Sequence, residues 1–345
     1  MYKRRIRTTT YQSAGVLTLA TLLLFGLVPT AKAGAARGHE AGERGRAQCN
    51  RPHVPGTYSM TIPSGGMDRT VIVHVPASYK GRHRVPMVLN LHGSSANALT
   101  QMSISALAAA ADKYGFIAVA PQGAIIAGPG YSWNVPGVTL PEGQPPDDEQ
   151  FLDDTIEAVA QDLCIDETRV YGTGYSGGGR MISQYACDRA ERIAAIAPVV
   201  GLRAGYPVSG EAAPDPTTCL PVRPVPVLAF AGTEDRVNPY AGGGAPYWQY
   251  GTLAALERWA DIDSCGSKTR RRQVTEHVSL LEYRRCDKGV QVALYIAEGA
   301  GHTWPGSEFS VDFYQGRLGE VNMEIDATDL MWRFFRHHSL RRGGR

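Results

Sequence analysis

Gly174-Tyr175-Ser176-Gly177-Gly178 places a serine among glycines where a β-rich run meets a helical one. A serine in such a strand–turn–helix elbow is held strained with its hydroxyl exposed, and flanking glycines avoid Cβ clashes with the neighbouring elements. A free serine hydroxyl is a weak nucleophile at neutral pH and needs a base beside it. Of nine histidines, His277, His302, His337 and His338 follow Ser176. His302 lies in the small-residue loop Glu298-Gly299-Ala300-Gly301-His302-Thr303-Trp304-Pro305-Gly306, directly after an apolar run ending near residue 296. His277 stands in an alternating, half-exposed stretch, and His337 and His338 close the last helix in a basic tail. His302 is therefore the expected base.

The acid that fixes the imidazole tautomer is expected after the apolar run 225–231, where Gly232-Thr233-Glu234-Asp235 stands. Asp235 is the shorter acid before an apolar turn at Val237 and is preferred, with Glu234 as fallback. Serine, acid and histidine then follow one another in the chain, each after a strand. Two backbone amides are needed to hold a developing oxyanion. Gly177 N–H and Ser94 N–H, the latter in His92-Gly93-Ser94, are the expected pair. His92 itself reads as a structural hydrogen-bonder. Trp133, Trp304 and Tyr175 are the expected substrate contacts, within a wider set that includes Tyr240, Tyr247 and Trp248.

The elements that must position these residues alternate in type. Strand signals cover residues 71–75, 87–91, 116–120, 169–174, 193–200, 225–231 and 290–296. Helical spacing covers 98–114, 153–163, 177–187, 250–262 and 325–336. Residues 121–149 read as one long Pro/Gly-rich loop. Strands alternating with helices imply a mainly parallel sheet covered on both faces. No internal repeat or separating linker is visible, so residues 49–338 read as one catalytic domain.

The 345 residues are 43% hydrophobic and 20% charged, a globular balance. Net charge is +2, which gives no footprint for nucleic acid. The N-terminus reads as a removable address. Lys3, Arg4, Arg5 and Arg7 precede an apolar core at 14–28, and Ala31-Lys32-Ala33 fits cleavage after Ala33. The reading is thus a signal peptide at 1–33, a loose stretch at 34–48 and a basic tail at 339–345. Without 1–33 the chain carries 30 basic and 33 acidic residues, a formal charge of −3. A secreted protein with no membrane attachment after cleavage is expected.

Secretion makes the six cysteines candidates for three disulfides. None has C-x-x-C spacing, so no metal is expected, and no cofactor. The acids Asp147, Asp148, Glu149, Asp153 and Asp154 read as a helix N-terminus rather than a calcium site. Cys164 precedes the strand leading to Ser176 and Cys187 follows it on the helix. Both are expected at the bottom of the sheet, as a bridge. Cys265 and Cys286 flank a hairpin, and elimination leaves Cys49 with Cys219.

Leu91-His92-Gly93, Cys164-Ile165-Asp166, Gly174-Tyr175-Ser176-Gly177-Gly178-Gly179, Ala186-Cys187, Gly232-Thr233-Glu234-Asp235 and Gly301-His302-Thr303-Trp304-Pro305-Gly306 stand in that order. The chain resembles the secreted polyhydroxybutyrate-depolymerase-type esterases, which overlap feruloyl and acetylxylan esterases of carbohydrate esterase family 1. The resemblance covers roughly residues 49–336. It implies an α/β-hydrolase fold, the triad Ser176, Asp235 and His302, and an ester substrate on a polysaccharide or polyester. The family often has Asn or Tyr where Gly177 stands, which changes the substrate contacts at that edge. The expectation is a monomeric esterase acting on plant cell-wall esters, feruloyl esters on xylan first, with polyhydroxybutyrate and acetylxylan as alternatives. From a different class comes a non-catalytic carbohydrate-binding protein with a hydrolase shell, against which the intact Ser, Asp and His argue.

Overall fold

A computed structural model describes residues 49–137, 145–208 and 211–340. The expected signal peptide, the stretch 34–48, residues 138–144 of the expected long loop and residues 341–345 of the tail lie outside the described residues. In chain order the strands are β1 (Gly56–Ser64), β2 (Met67–Val75), β3 (Val85–Leu91), β4 (Ile117–Pro121), β5 (Ile125–Ala127), β6 (Gly130–Ser132), β7 (Ile165–Tyr175), β8 (Ala195–Val199), β9 (Val227–Gly232), β10 (Gly266–Gln273), β11 (Val278–Arg284) and β12 (Val292–Ala297). The α-helices are α1 (Ala98–Ser105), α2 (Leu107–Tyr114), α3 (Asp148–Asp162), α4 (Gly177–Asp188), α5 (Thr252–Ile262), α6 (Glu308–Tyr314) and α7 (Ala327–Phe335).

Ten strands form one sheet in the order β1-β2-β4-β3-β7-β8-β9-β12-β11-β10. The six from β4 to β12 run parallel. Antiparallel strands extend both edges. The parallel strands are short apolar runs because both of their faces are covered. Along β3, Met87, Leu89 and Leu91 enter one core with α3, α4 and α5. Val88 enters the other with α1, α2 and α7. The outer strand β10 is exposed and carries Lys268, Arg270, Arg271 and Arg272, charges that discourage edge pairing.

The alternation expected from the sequence is present, with three differences. The single helix expected at 98–114 is two, because Ala106 adopts a left-handed conformation (φ 49°). Ser105 supports the break: its hydroxyl donates to Gln101 O at 2.8 Å and accepts from Leu107 N–H at 3.3 Å. β1 was not anticipated, nor was the small β5–β6 hairpin inside the expected loop.

The third difference is in the disulfides. Cys265–Cys286 closes the β10–β11 hairpin as expected, but the other bridges are Cys49–Cys164 and Cys187–Cys219. The expected Cys164–Cys187 and Cys49–Cys219 pairs do not form. The geometric reason is the unequal rise of strand and helix. From Ile165 to Gly174 the irregular strand β7 climbs only the length of β3 from Val85 to Leu91, roughly 20 Å at 3.3 Å per residue, whereas the return along α4 to Cys187 descends roughly 16 Å. Cys187 therefore stops above Cys164 and meets the loop containing Cys219. Cys164 is met by the N-terminal segment, where Arg51 N–H donates to Gly81 O at 3.0 Å and Tyr79 OH donates to Arg51 O at 2.8 Å.

Candidate active site

β7 ends at Tyr175 and α4 starts at Gly177, so Ser176 must turn the chain within one residue. It does so at φ 54°, ψ −112°, a conformation that costs a non-glycine residue of order 1–3 kcal/mol. Two backbone bonds hold the turn: Ser176 N–H donates to Val199 O of β8, and Arg180 N–H donates to Ser176 O, both at 2.9 Å. The elbow also needs bare backbone around it. A Cβ on Gly178 would stand 2.2 Å from the Leu91 carbonyl oxygen, and one on Gly174 2.4 Å from Gly178.

His302 lies on the loop after β12, and Asp235 on the loop after β9, its parallel neighbour. Adjacent strands thus deliver base and acid side by side. His302 Nδ1–H donates to Asp235 Oδ2 at 2.7 Å, with both side chains 3% exposed. The other carboxylate oxygen accepts from Val237 N–H and Asn238 N–H, each at 2.8 Å. These bonds hold the carboxylate aimed at the ring. Glu234, the fallback, points to solvent. With Nδ1–H given to the carboxylate, Nε2 is the ring nitrogen that keeps a lone pair. His302 is itself clamped: its N–H donates to Leu318 O at 2.7 Å, and its carbonyl accepts from Tyr175 OH.

Ser176 and His302 line one cavity of about 460 Å³, together with Ser94, Tyr175, Arg180, Val237, Tyr247, Phe313 and Tyr314. A second hollow of about 390 Å³ opens at Cys187, Asp188, Tyr206 and Thr218, but its lining holds no histidine. The Ser94 amide nitrogen lies 3.0 Å from where a Gly177 Cβ would stand, so the two expected oxyanion donors are neighbours. The loop bearing Ser94 is pinned by His92. That ring accepts Gly123 N–H on Nε2 at 2.9 Å, which makes Nδ1–H the donor to Gly93 O at 2.8 Å. Burial pulls its pKa down to about 4, so it serves as a neutral brace.

Two expected substrate contacts are corrected. Trp133 is 2% exposed, donates Nε1–H to His92 O at 2.8 Å and does not line the cavity. Trp304 is 1% exposed and donates to Thr328 Oγ1 on α7. Each flanks a motif residue in sequence, but the short loops turn both rings inward, where they back the site. Tyr175 does line the cavity, with its hydroxyl engaged by the His302 loop. Among the acids, Asp147 caps α3, and Asp148 forms a buried 2.7 Å ion pair with Arg69.

The sequence reading missed the aromatic wall of α6, although Phe309, Phe313 and Tyr314 are densely spaced. It also missed Asn238, whose side-chain amide donates to Val200 O at 2.6 Å and ties the Asp235 loop to the end of β8. No local pattern signals that bond, because Val200 lies 38 residues away in sequence.

No family model matches the chain. Feruloyl esterase B of Piromyces equi is 32% identical over 252 residues, which are 71% of this chain and 44% of that protein. The bifunctional acetylxylan esterase/xylanase XynS20E of Neocallimastix patriciarum is 27% identical over 244 residues, 69% of this chain and 31% of that protein. The chain spans less than half the length of either relative. The acetyl xylan esterase structure from Aspergillus awamori matches with a TM-score of 0.51 at 17% identity, covering 75% of this chain and 99% of that one. The chain is related to carboxylic ester hydrolases and has the α/β-hydrolase fold. The relatives support an esterase family.

Proposed function

We propose that the protein is a secreted serine carboxylesterase of plant cell-wall esters, with feruloyl esters on xylan as its principal substrates. The observation that carries this reading is the buried Asp235–His302 hydrogen bond delivered into the same cavity as the Ser176 elbow. In the proposed reaction His302 Nε2 takes the Ser176 hydroxyl proton as Oγ attacks the ester carbonyl. The Gly177 and Ser94 amides receive the oxyanion, and Asp235 stabilises the imidazolium. Collapse expels the sugar alcohol, protonated by His302. Water, deprotonated by the same nitrogen, then releases the acid and regenerates Ser176.

The aromatic wall of Tyr247, Phe313 and Tyr314 favours a ring-bearing acyl group over acetyl, which would leave most of the cavity unfilled. Acetylxylan is the second reading, supported by the names of two matched proteins. Three disulfides suit an oxidising compartment. Among the described residues no helix is long and apolar enough to cross a membrane.

Parallel assays on methyl ferulate, acetylated xylan and short hydroxybutyrate oligomers, with wild type and Ser176→Ala, test the reading. The expected result is Ser176-dependent hydrolysis with the highest kcat/KM on methyl ferulate. Faster release of acetate would replace the feruloyl reading with the acetyl one. Failure of an active-site phosphonylating reagent to label Ser176 would sink the esterase reading.

A further inference from the structure

Arg180 stands on the first turn of α4, four residues after Ser176, and its side chain forms part of the cavity wall. It is only 7% exposed. Moving a guanidinium out of water costs several kcal/mol, so such groups are normally paired with an anion. Among the described residues Arg180 has no carboxylate partner, and no acid lines the cavity. It rests 3.9 Å from the centre of the Tyr247 ring, and Nη2 donates to the neutral Ser94 Oγ at a long 3.3 Å. Its Nε is buried without a hydrogen-bond partner. The nearby buried Arg203 adds charge of the same sign. Burial first, and then the charge of Arg180, pull Arg203 down to about 10, so the two cations sense each other.

Gly177 explains why this charge can reach a ligand. A Cβ there would stand 2.4 Å from Ser94 Oγ and 3.3 Å from Arg180 Nη2. The bare backbone keeps the guanidinium beside the site of attack.

We propose that Arg180 is a specificity-determining residue that receives a carboxylate carried by the ester substrate, on either the acyl or the alcohol side of the scissile bond. The inference rests on Ser176 being the nucleophile and goes beyond the feruloyl reading, whose esters carry no free carboxylate, by adding an anionic substrate class. The competing role is positional: Arg180 holds Ser94 for the oxyanion and has no preference for substrate charge.

Two isosteric pairs separate the possibilities. Monomethyl succinate and methyl 4-methylpentanoate differ by a carboxylate on the acyl side, and butyryl glycolate and isobutyl butyrate by one on the alcohol side. Wild type is expected to favour the charged member of one pair, and the pair that responds identifies the side. Arg180→Gln should lower that selectivity ratio by about tenfold or more, the worth of a charge-assisted hydrogen bond. An equal fall on both members would overturn the proposal in favour of the positional role. If R180Q fails to fold, the wild-type ratios decide: preference for the neutral member in both pairs overturns the proposal. Ser176-dependent hydrolysis of methyl ferulate without any charge preference sinks this inference alone, whereas no Ser176-dependent hydrolysis of any ester sinks the esterase reading with it.

Discussion

The floor group is Ser176 and His302, which line the cavity, with Asp235 hydrogen-bonded behind the ring; Ser176, Asp235 and His302 are 8%, 6% and 3% exposed. Phe313 and Val237 stand at its rim, 47% and 37% exposed. Every floor residue is tied by backbone: Ser176 to β8, Asp235 to two amides of its own turn, and His302 to Leu318 O. At the rim, Phe313 is held by stacking on Phe309 at 5.2 Å between centroids and by edge contact with Tyr314. The floor sits where strands of the parallel sheet end, so its geometry follows from sheet register. The rim comes from a seven-residue helix and from loops. Under the proposed mechanism bond-making belongs to the floor and selection to the rim, which predicts a steep gradient of mutational effects between them.

The largest effect belongs to the proposed nucleophile. Ser176→Ala should lower kcat by about 10⁶ while leaving the unfolding midpoint near wild type. More than a few per cent of residual turnover would remove Ser176 from the role. Next is Asp235→Asn, which keeps the shape but stabilises the wrong imidazole tautomer. A fall in kcat of about 10⁴ is expected. A fall below tenfold would mean that His302 is oriented by its backbone clamps alone.

The same contrast explains what could be read in the sequence. Ser176 was legible because an elbow needs glycines packed against neighbouring strands, a local demand written at 174–178. Asp235 and His302 were legible because each follows a strand in the expected order. The rim was not, because α6 reaches the cavity only through folding of residues far from the elbow. Trp133 and Trp304 misled for a related reason: closeness to a motif in sequence does not say which way a ring points. The disulfides failed on the different rise of strand and helix, which the cysteine spacing hides.

Trp133→Ala tests the inward reading of that ring. Removing a large buried side chain should lower stability by about 3–5 kcal/mol, read by chemical denaturation. A rise in KM for an aromatic ester at unchanged stability would instead return Trp133 to the substrate pocket.

His92 gives a smaller, pH-dependent effect. Its folded-state pKa lies near 4 because of burial, below the ordinary 6.5. The unfolded chain therefore binds a proton between those values that the folded chain does not. The stability conferred by neutral His92 is complete above pH 6.5 and is lost as pH falls toward 4. Between pH 7 and pH 5 the loss should be about 2 kcal/mol. Urea titrations of wild type and His92→Gln at both values check it: a slope that persists in H92Q places the acid sensitivity elsewhere.

The smallest effect is expected at the rim, and it decides whether the comparison with the floor is right. Phe313 is about half exposed, so truncation to Ala leaves no closed cavity and should change stability by well under 1 kcal/mol. Its ring can still cover one face of an aromatic acyl group, a contact worth about 0.5–1.5 kcal/mol. That corresponds to a rise in KM for methyl ferulate of roughly two- to tenfold, with kcat nearly constant, because the contact is made equally in the ground and transition states. An acetyl ester, too short to reach the ring, should show no change in KM. If Phe313→Ala instead lowers kcat on both substrates to the same degree, α6 acts on the floor through Leu318 and the His302 clamp, and the division between a rigid catalytic floor and a selective rim fails.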